Sequence, residues 1–366
     1  MKRQFTLPYR LALRTFAYVL LYGCLIACIT PYQPETKSLG GSVLVVDGYI
    51  TDQVGPHQVS VSYSSDFTNT AVNLRASGAK VYVTDDTGGR QDFSEVAPGI
   101  YRTPAAFQGR VGRTYKLNIV LADGKRYESA PEKLRAAPPI DRIYDEYSQK
   151  EITNTTVLDK GFNVYVDTKD AATTGDYYRW KWTNFEQLVF CNSRVTITNN
   201  VSTEIGFFCC DPCWTVTNCT GAGCINTMSD EAVNGNSISR QFIVRVPFTS
   251  YEKYYLEIEQ LLISRAAYTY YKTIENLTAS NGGIFDSAPT TVRGNIVSLT
   301  NAGEYVFGFF SVAGAQKMPY VVDRKKGQGS PNIKSSPIVP PGPPLPCAAC
   351  EESDYRTRIK PRWWPF

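Results

Sequence analysis

The sequence predicts a mainly β protein: two β-sandwich, immunoglobulin-like domains, the second carrying one helix and a disulfide-rich insertion. Three observations predict it. Short runs rich in Val, Ile, Tyr and Thr recur along the chain with turn residues between them. One stretch, after Ser264, carries apolar residues at helical spacing. Six of the ten cysteines fall within residues 191–224.

In chain order, residues 1–27 read as a secretory signal. Lys2, Arg3, Arg10 and Arg14 form a basic start without an acidic residue, and Thr15 to Ala27 is an apolar run too short to span a bilayer. Leu25-Ile26-Ala27-Cys28 then resembles a bacterial lipobox, in which the cysteine thiol is acylated and becomes the first mature residue. Acyl chains, at ~0.8 kcal/mol per buried methylene, hold a protein on a membrane without a transmembrane helix. Residues 28–40, with Pro31 and Pro34, read as an extended tether; about a dozen residues at ~3.3 Å each reach up to ~40 Å.

The N-terminal sandwich is expected over 41–136. Val43 to Ile50, His57 to Tyr63 and Lys80 to Thr84 read as strands. Asp85-Asp86-Thr87-Gly88-Gly89 reads as a hairpin turn and lacks the spacing of a calcium loop. Pro98-Gly99 leads into Ile100-Tyr101-Arg102. Thr114 to Leu121 puts Tyr115, Leu117, Ile119 and Leu121 on one face, and Ala122-Asp123-Gly124-Lys125 turns it into Tyr127.

Ala136-Ala137-Pro138-Pro139-Ile140 marks a boundary, because prolines cannot donate to a ladder. The C-terminal domain is expected over 140–324, with the cysteine-rich insertion at 191–224. Phe162 to Asp167 and Tyr177 to Phe185 are strands; Tyr178, Trp180 and Trp182 share a face, which reads as sheet core and not a sugar platform. Gln241 to Pro247 and Tyr254 to Ile263 are strand-like. Ser264 caps a helix with Ala267, Tyr271, Ile274 and Leu277 on one face, ended by Asn281-Gly282-Gly283. Val306 to Val312 and Met318 to Asp323 read as a closing hairpin. Residues 325–366 form a proline-rich extension, with seven prolines between Pro331 and Pro346, which reads as polyproline-like and without a core of its own.

Removing the signal changes the charge argument. The chain has 38 Lys+Arg and 34 Asp+Glu; four of the basic residues lie in residues 1–27, which leaves 34 of each sign. A neutral mature chain gives no support to nucleic-acid binding.

Of the ten cysteines, Cys24 leaves with the signal and Cys28 is the lipid site. Cys191, Cys209, Cys210, Cys213, Cys219, Cys224, Cys347 and Cys350 remain, an even number in an exported chain, which reads as four disulfides with on the order of a hundred connectivities. Adjacent Cys209 and Cys210 are poorly placed to bond each other. A bridge from Cys347 or Cys350 to the insertion would staple the extension to the second domain. Cys210-x-x-Cys213 and Cys347-x-x-Cys350 also have zinc-ribbon spacing, but export favours disulfides, and neither a metal nor another cofactor is expected.

Catalytic signals are sparse. His57 is the single histidine, so any Ser-His-Asp or Cys-His relay must use it. The sequence contains no G-x-S-x-G, H-E-x-x-H, P-loop or G-x-G-x-x-G motif. Paired carboxylates roughly 5–10 Å apart would suffice for a glycosidase, so acidic residues alone leave that open. Asp286-Ser287-Ala288 matches a short O-glycosylation pattern and reads as an ordinary loop.

Several segments together resemble a known family. They are Leu44-Val45-Val46-Asp47-Gly48-Tyr49-Ile50-Thr51-Asp52, Gly55-Pro56-His57-Gln58-Val59, Pro98-Gly99-Ile100-Tyr101-Arg102 and Val111-Gly112-Arg113-Thr114-Tyr115. To these are added Pro138-Pro139-Ile140-Asp141, Cys209-Cys210-x-x-Cys213-Trp214 and Val292-Arg293-Gly294-Asn295-Ile296. The chain resembles the Bacteroidota lipoprotein family called domain of unknown function 4249, from the lipobox to the terminal Lys360-Pro361-x-Trp363. The resemblance implies an outer-membrane lipoprotein, often encoded beside TonB-dependent transporters, with no established activity and no family catalytic residues. The expectation is a non-catalytic accessory or ligand-binding partner of such a transporter, at the cell surface. The alternatives are a structural or assembly subunit of an envelope complex and, less favoured, an enzyme on glycans or peptides.

Overall fold

The computed structural model describes residues 42–64, 74–152, 158–198, 201–279, 292–332, 337–339, 342–343, 345–361 and 364. The expected signal (1–27), Cys28, the expected tether (28–40), Asn281-Gly282-Gly283, Asp286-Ser287-Ala288 and Trp363 lie outside these residues. Among the described residues strands account for 54% and helices for 8%, so the protein is mainly β.

The first half supplies β1 (Leu44–Thr51), β2 (Gln58–Tyr63), β3 (Leu74–Arg75), β4 (Lys80–Asp85), β5 (Arg90–Ala97), β6 (Ile100–Arg102), β7 (Thr114–Val120), β8 (Arg126–Ser129) and β9 (Glu132–Lys133). Period-two alternation sets their faces. In β7, Tyr115, Leu117 and Ile119 are buried while Lys116 and Asn118 point the other way. At the β4–β5 turn the Asp85 carboxylate accepts from the Thr87 and Gly89 amides at 2.9 and 2.8 Å, a self-contained turn.

The second half supplies β10 (Ile140–Glu151), β11 (Leu158–Lys169), β12 (Tyr177–Gln187), β13 (Phe190–Thr198), β14 (Val201–Phe208), β15 (Trp214–Asn218), β16 (Asn226–Ser229), β17 (Ser237–Pro247) and β18 (Tyr254–Ile263). Helix α1 (Arg265–Ala279), β19 (Ile296–Ser298), β20 (Val306–Val322) and β21 (Arg356–Thr357) follow. The Ser264 hydroxyl accepts from the Ala267 amide at 3.1 Å, capping α1 as expected.

Hydrogen bonding links most strands into one continuous path, β19-β8-β7-β4-β5-β6-β2-β1-β20-β18-β12-β15-β21. A first core, including Leu44, Val59, Leu117, Tyr127 and Phe310, is enclosed by the first part of that path. A second core lies where the separate sheet β10-β11-β17 places Phe162, Val164 and Val246 against Trp180, Leu256 and Ile258. Tyr178 and Trp180 are fully buried there, so the aromatic stripe is sheet core. A third cluster seats α1 through Ala267 and Tyr271.

The closing hairpin expected at 306–323 is instead one strand of 17 residues. Its first part pairs in parallel with β1 and its second part antiparallel with β18. The change-over falls at Ala313-Gly314, where the chain at 135–137 crosses so closely that a Cβ on Gly314 would meet its backbone; it is not a turn. The two halves thus share β20, and residues 42–366 form one compact unit. The proline pair at 138–139 is also built in: the Pro138 carbonyl accepts from Gln260 Nε2 at 2.8 Å and the Pro139 carbonyl from Thr168 Oγ1 at 2.8 Å.

The proline-rich extension does not stand away from the body. β21 pairs with β15, and Trp364 packs on Tyr255 and Trp214 with ring centroids 4.0 and 6.0 Å away. It has no core of its own because it uses that of the second half.

Candidate functional site

All eight expected cysteines are disulfide-bonded. Cys210 bonds Cys347 and Cys213 bonds Cys350, so the two C-x-x-C motifs meet position for position across 137 residues. Cys191–Cys209 closes the base of the β13–β14 hairpin, and Cys219–Cys224 closes a short loop. The sulfurs of Cys191, Cys213 and Cys350 lie within 4.8 Å of one another, but each is already bonded to another sulfur and has no thiolate to offer a metal. Cys28, the expected lipid site, lies outside the described residues.

The Cys219–Cys224 loop forms one wall of a cavity of about 380 Å³, placed where β1, β20, β18 and β12 lie side by side. Its floor is a row of charges set by strand register. Lys181 on β12 is directly opposite Glu259 on β18, and Glu259 is opposite Lys317 on β20. Alternating signs across adjacent strands are mutually stabilising. The Lys317 ammonium lies 3.5 Å from Glu259 Oε1 and 4.0 Å from Glu257 Oε1.

Tyr49 reaches into this row from β1. Its hydroxyl donates to Glu259 Oε2 at 2.9 Å and accepts from Lys181 Nζ at 3.1 Å. Burial, then the Glu259 carboxylate, lifts the Tyr49 hydroxyl well above the usual tyrosine range. Burial lowers the Lys181 ammonium; the Glu259 charge opposes this and the Arg179 charge adds to it. Arg179, two residues before Lys181 and on the same face of β12, donates from Nε and Nη2 to the Cys224 carbonyl at 3.1 and 3.0 Å. Its guanidinium lies 3.8 Å from the centre of the Tyr271 ring, so it joins the disulfide loop to α1. Asp47 lies exposed among the cavity residues.

Two other polar centres are internal. The carboxylates of Asp170, Asp176 and Asp230 are buried within 4.8 Å of one another, a spacing that would suit a cation. Protein donors already serve them: Arg135 Nη1 at 2.5 Å and Thr173 Oγ1 at 2.6 Å on Asp176, the Tyr178 hydroxyl and the Gly235 amide on Asp170, and the Gly175 amide at 3.0 Å on Asp230. His57 is buried edge-on against Phe107, and its Nε2 meets no hydrogen-bond partner among the described residues.

The family described as Domain of unknown function (DUF4249) matches residues 29–318. The chain belongs to this family. No curated protein matches it. The DUF4249 match covers every residue of the cavity, Asp47 to Lys317, and six of the bonded cysteines. It ends short of Lys360-Pro361, so the extension bearing Cys347 and Cys350 lies beyond the matched stretch and is stapled to it by two disulfides.

Of the cavity residues, sequence reasoning singled out Cys219 and Cys224 as disulfide candidates and Trp182 in the aromatic stripe, but not the charged row. A signal was present: Asp47 and Tyr49, Arg179 and Lys181, and Glu257 and Glu259 are polar at period two on strands whose intervening residues are buried or half-buried. Lys317 was hidden in the segment expected to turn.

Proposed function

We propose that this DUF4249 protein is a non-catalytic lipoprotein of the outer membrane, anchored through Cys28, that binds a small polar solute as the accessory partner of a TonB-dependent transporter at the cell surface. The observation that carries the reading is the charged cavity walled by the Cys219–Cys224 disulfide. A fixed cavity with a few convergent polar groups is what small-molecule sites share. Four disulfides fit an oxidising compartment. No helix among the described residues is long and apolar enough to cross a membrane. The Leu25-Ile26-Ala27-Cys28 lipobox supports attachment through a lipid.

A Cys28→Ala chain is expected to lose acyl labelling and leave the membrane fraction; retained label refutes the anchor. Affinity capture of the tagged full chain from detergent-solubilised outer membrane is expected to recover one TonB-dependent transporter. Recovery of several envelope proteins in its place would favour the second reading, a structural subunit. The observation on that side is the β13–β14 hairpin, which exposes Val195, Ile197 and Val201 at 60%, 74% and 63%.

A further inference from the structure

The strands around the cavity leave its cations unevenly matched. Lys317 has two carboxylates, Glu257 and Glu259. Glu259 has both oxygens engaged, one by Lys317 and one by the Tyr49 hydroxyl. Lys181 makes no ion pair among the described residues; its hydrogen bond goes to the neutral Tyr49 oxygen. An ammonium has three donors, so two remain. Arg179 likewise makes no ion pair among the described residues and spends Nε and Nη2 on a neutral carbonyl. Asp47, the remaining carboxylate of the cavity, makes no ion pair with either among the described residues, although its charge favours the Lys181 ammonium. Two like charges therefore sit two residues apart on one face of β12, both half-buried, and the Arg179 charge disfavours the Lys181 ammonium.

We infer that the cavity is an oxyanion site in which Lys181, with Arg179 beside it, receives the carboxylate or phosphate group of a small solute. The inference rests on the ligand-binding reading above and gives that ligand its chemistry. An entering oxyanion accepts charge-assisted bonds from the Lys181 donors left free and from Arg179, stronger than the neutral contacts now made, and adds to the partial compensation that Glu259 and Asp47 already give Lys181. The volume of about 380 Å³ lies near the lower end for ligand cavities, which suits a small solute over a polymer. The Cys219–Cys224 bridge acts as a positioning device: the Cys224 carbonyl, held in a closed loop, fixes the Arg179 guanidinium.

The test is isothermal titration of the detergent-solubilised full chain, at low ionic strength, with succinate, inorganic phosphate and 1,4-diaminobutane. Binding of succinate alone identifies a carboxylate ligand, and binding of phosphate alone a phosphate ligand. Either should weaken about tenfold or more in Lys181→Gln and survive in Lys181→Arg. In parallel, Lys181 of the unmodified chain should be protected from acetylation by whichever anion binds, while Lys80 and Lys133 are not; this readout does not depend on a variant folding. Binding of the diamine alone, or no anion binding and no protection, overturns the inference. Anion binding without a captured transporter would remove the transporter partnership and leave the site standing; a captured transporter without anion binding would do the reverse.

Discussion

Gly314 of β20 lies under the backbone of Arg135: a Cβ at 314 would stand 2.1 Å from the Arg135 carbonyl oxygen and 2.5 Å from the Ala137 nitrogen. Both obstacles are main chain, so no side-chain rotation relieves them. This crossing is where the segment between the two halves passes the strand they share. Gly314→Ala is expected to destabilise the fold by at least about 1–3 kcal/mol, the usual cost of forcing an extra methyl into a packed site. Urea denaturation at equilibrium checks it, and an unchanged midpoint would show that the crossing yields freely.

The two long-range disulfides make a separate prediction. Each closes 137 residues, and loops of that order restrict the unfolded chain by about 4–5 kcal/mol in the chain-entropy account. A chain with Cys210, Cys213, Cys347 and Cys350 all changed to Ser should lower the unfolding midpoint and free the extension. Protease cleavage after residue 340 should then become fast, and the emission of Trp364, now packed on Tyr255, should shift to the red. Cleavage at the original rate would mean that Trp364 and β21 hold the extension without the bridges.

Much of the fold was legible because period-two alternation is a local property. Tyr115, Leu117 and Ile119 announce their face from seven residues of sequence, and Ser264 announces a helix start. What was not legible is long-range. Which cysteine bonds which depends on where β15 and β21 meet, and nothing near Cys213 names Cys350. The continuity of β20 was hidden because Ala313-Gly314-Ala315 reads as a break unless the crossing of 135–137 is known. The cavity was hidden for the same reason: Lys181, Glu259 and Lys317 lie on three distant strands, and only register aligns them.

Gln260 carries a load that its polarity conceals. It is fully buried, accepts from Trp180 Nε1 at 3.0 Å, and donates from Nε2 to the Pro138 carbonyl at 2.8 Å. Gln260→Met nearly keeps the volume and strands both partners without hydrogen bonds, each worth about 1–3 kcal/mol when buried. The variant should lose about 2 kcal/mol or more in denaturant unfolding. A loss under half that would mean the Trp180 and Pro138 groups find other partners.

Glu132 sets a pH dependence opposite to that of most carboxylates. It is 3% exposed beside Ser264 and Asn295, one of its oxygens has no hydrogen-bond partner, and burial pushes its carboxyl up to about 7 from an ordinary value of 4.5. Below pH 4.5 the group is protonated whether the chain is folded or unfolded, and its burial carries no ionisation penalty. Between pH 4.5 and about 7 the folded state keeps a proton that the unfolded state has released, so stability falls as pH rises. At about 1.4 kcal/mol per pH unit, the loss approaches about 3 kcal/mol and is complete above the folded value. Glu132→Gln keeps the shape and removes the titration. Urea unfolding of both proteins should therefore give similar stabilities near pH 4.5 and a variant that is progressively more stable than the parent toward pH 8. Parallel pH profiles would show that the Glu132 carboxyl ionises in the folded chain as it does in the unfolded one.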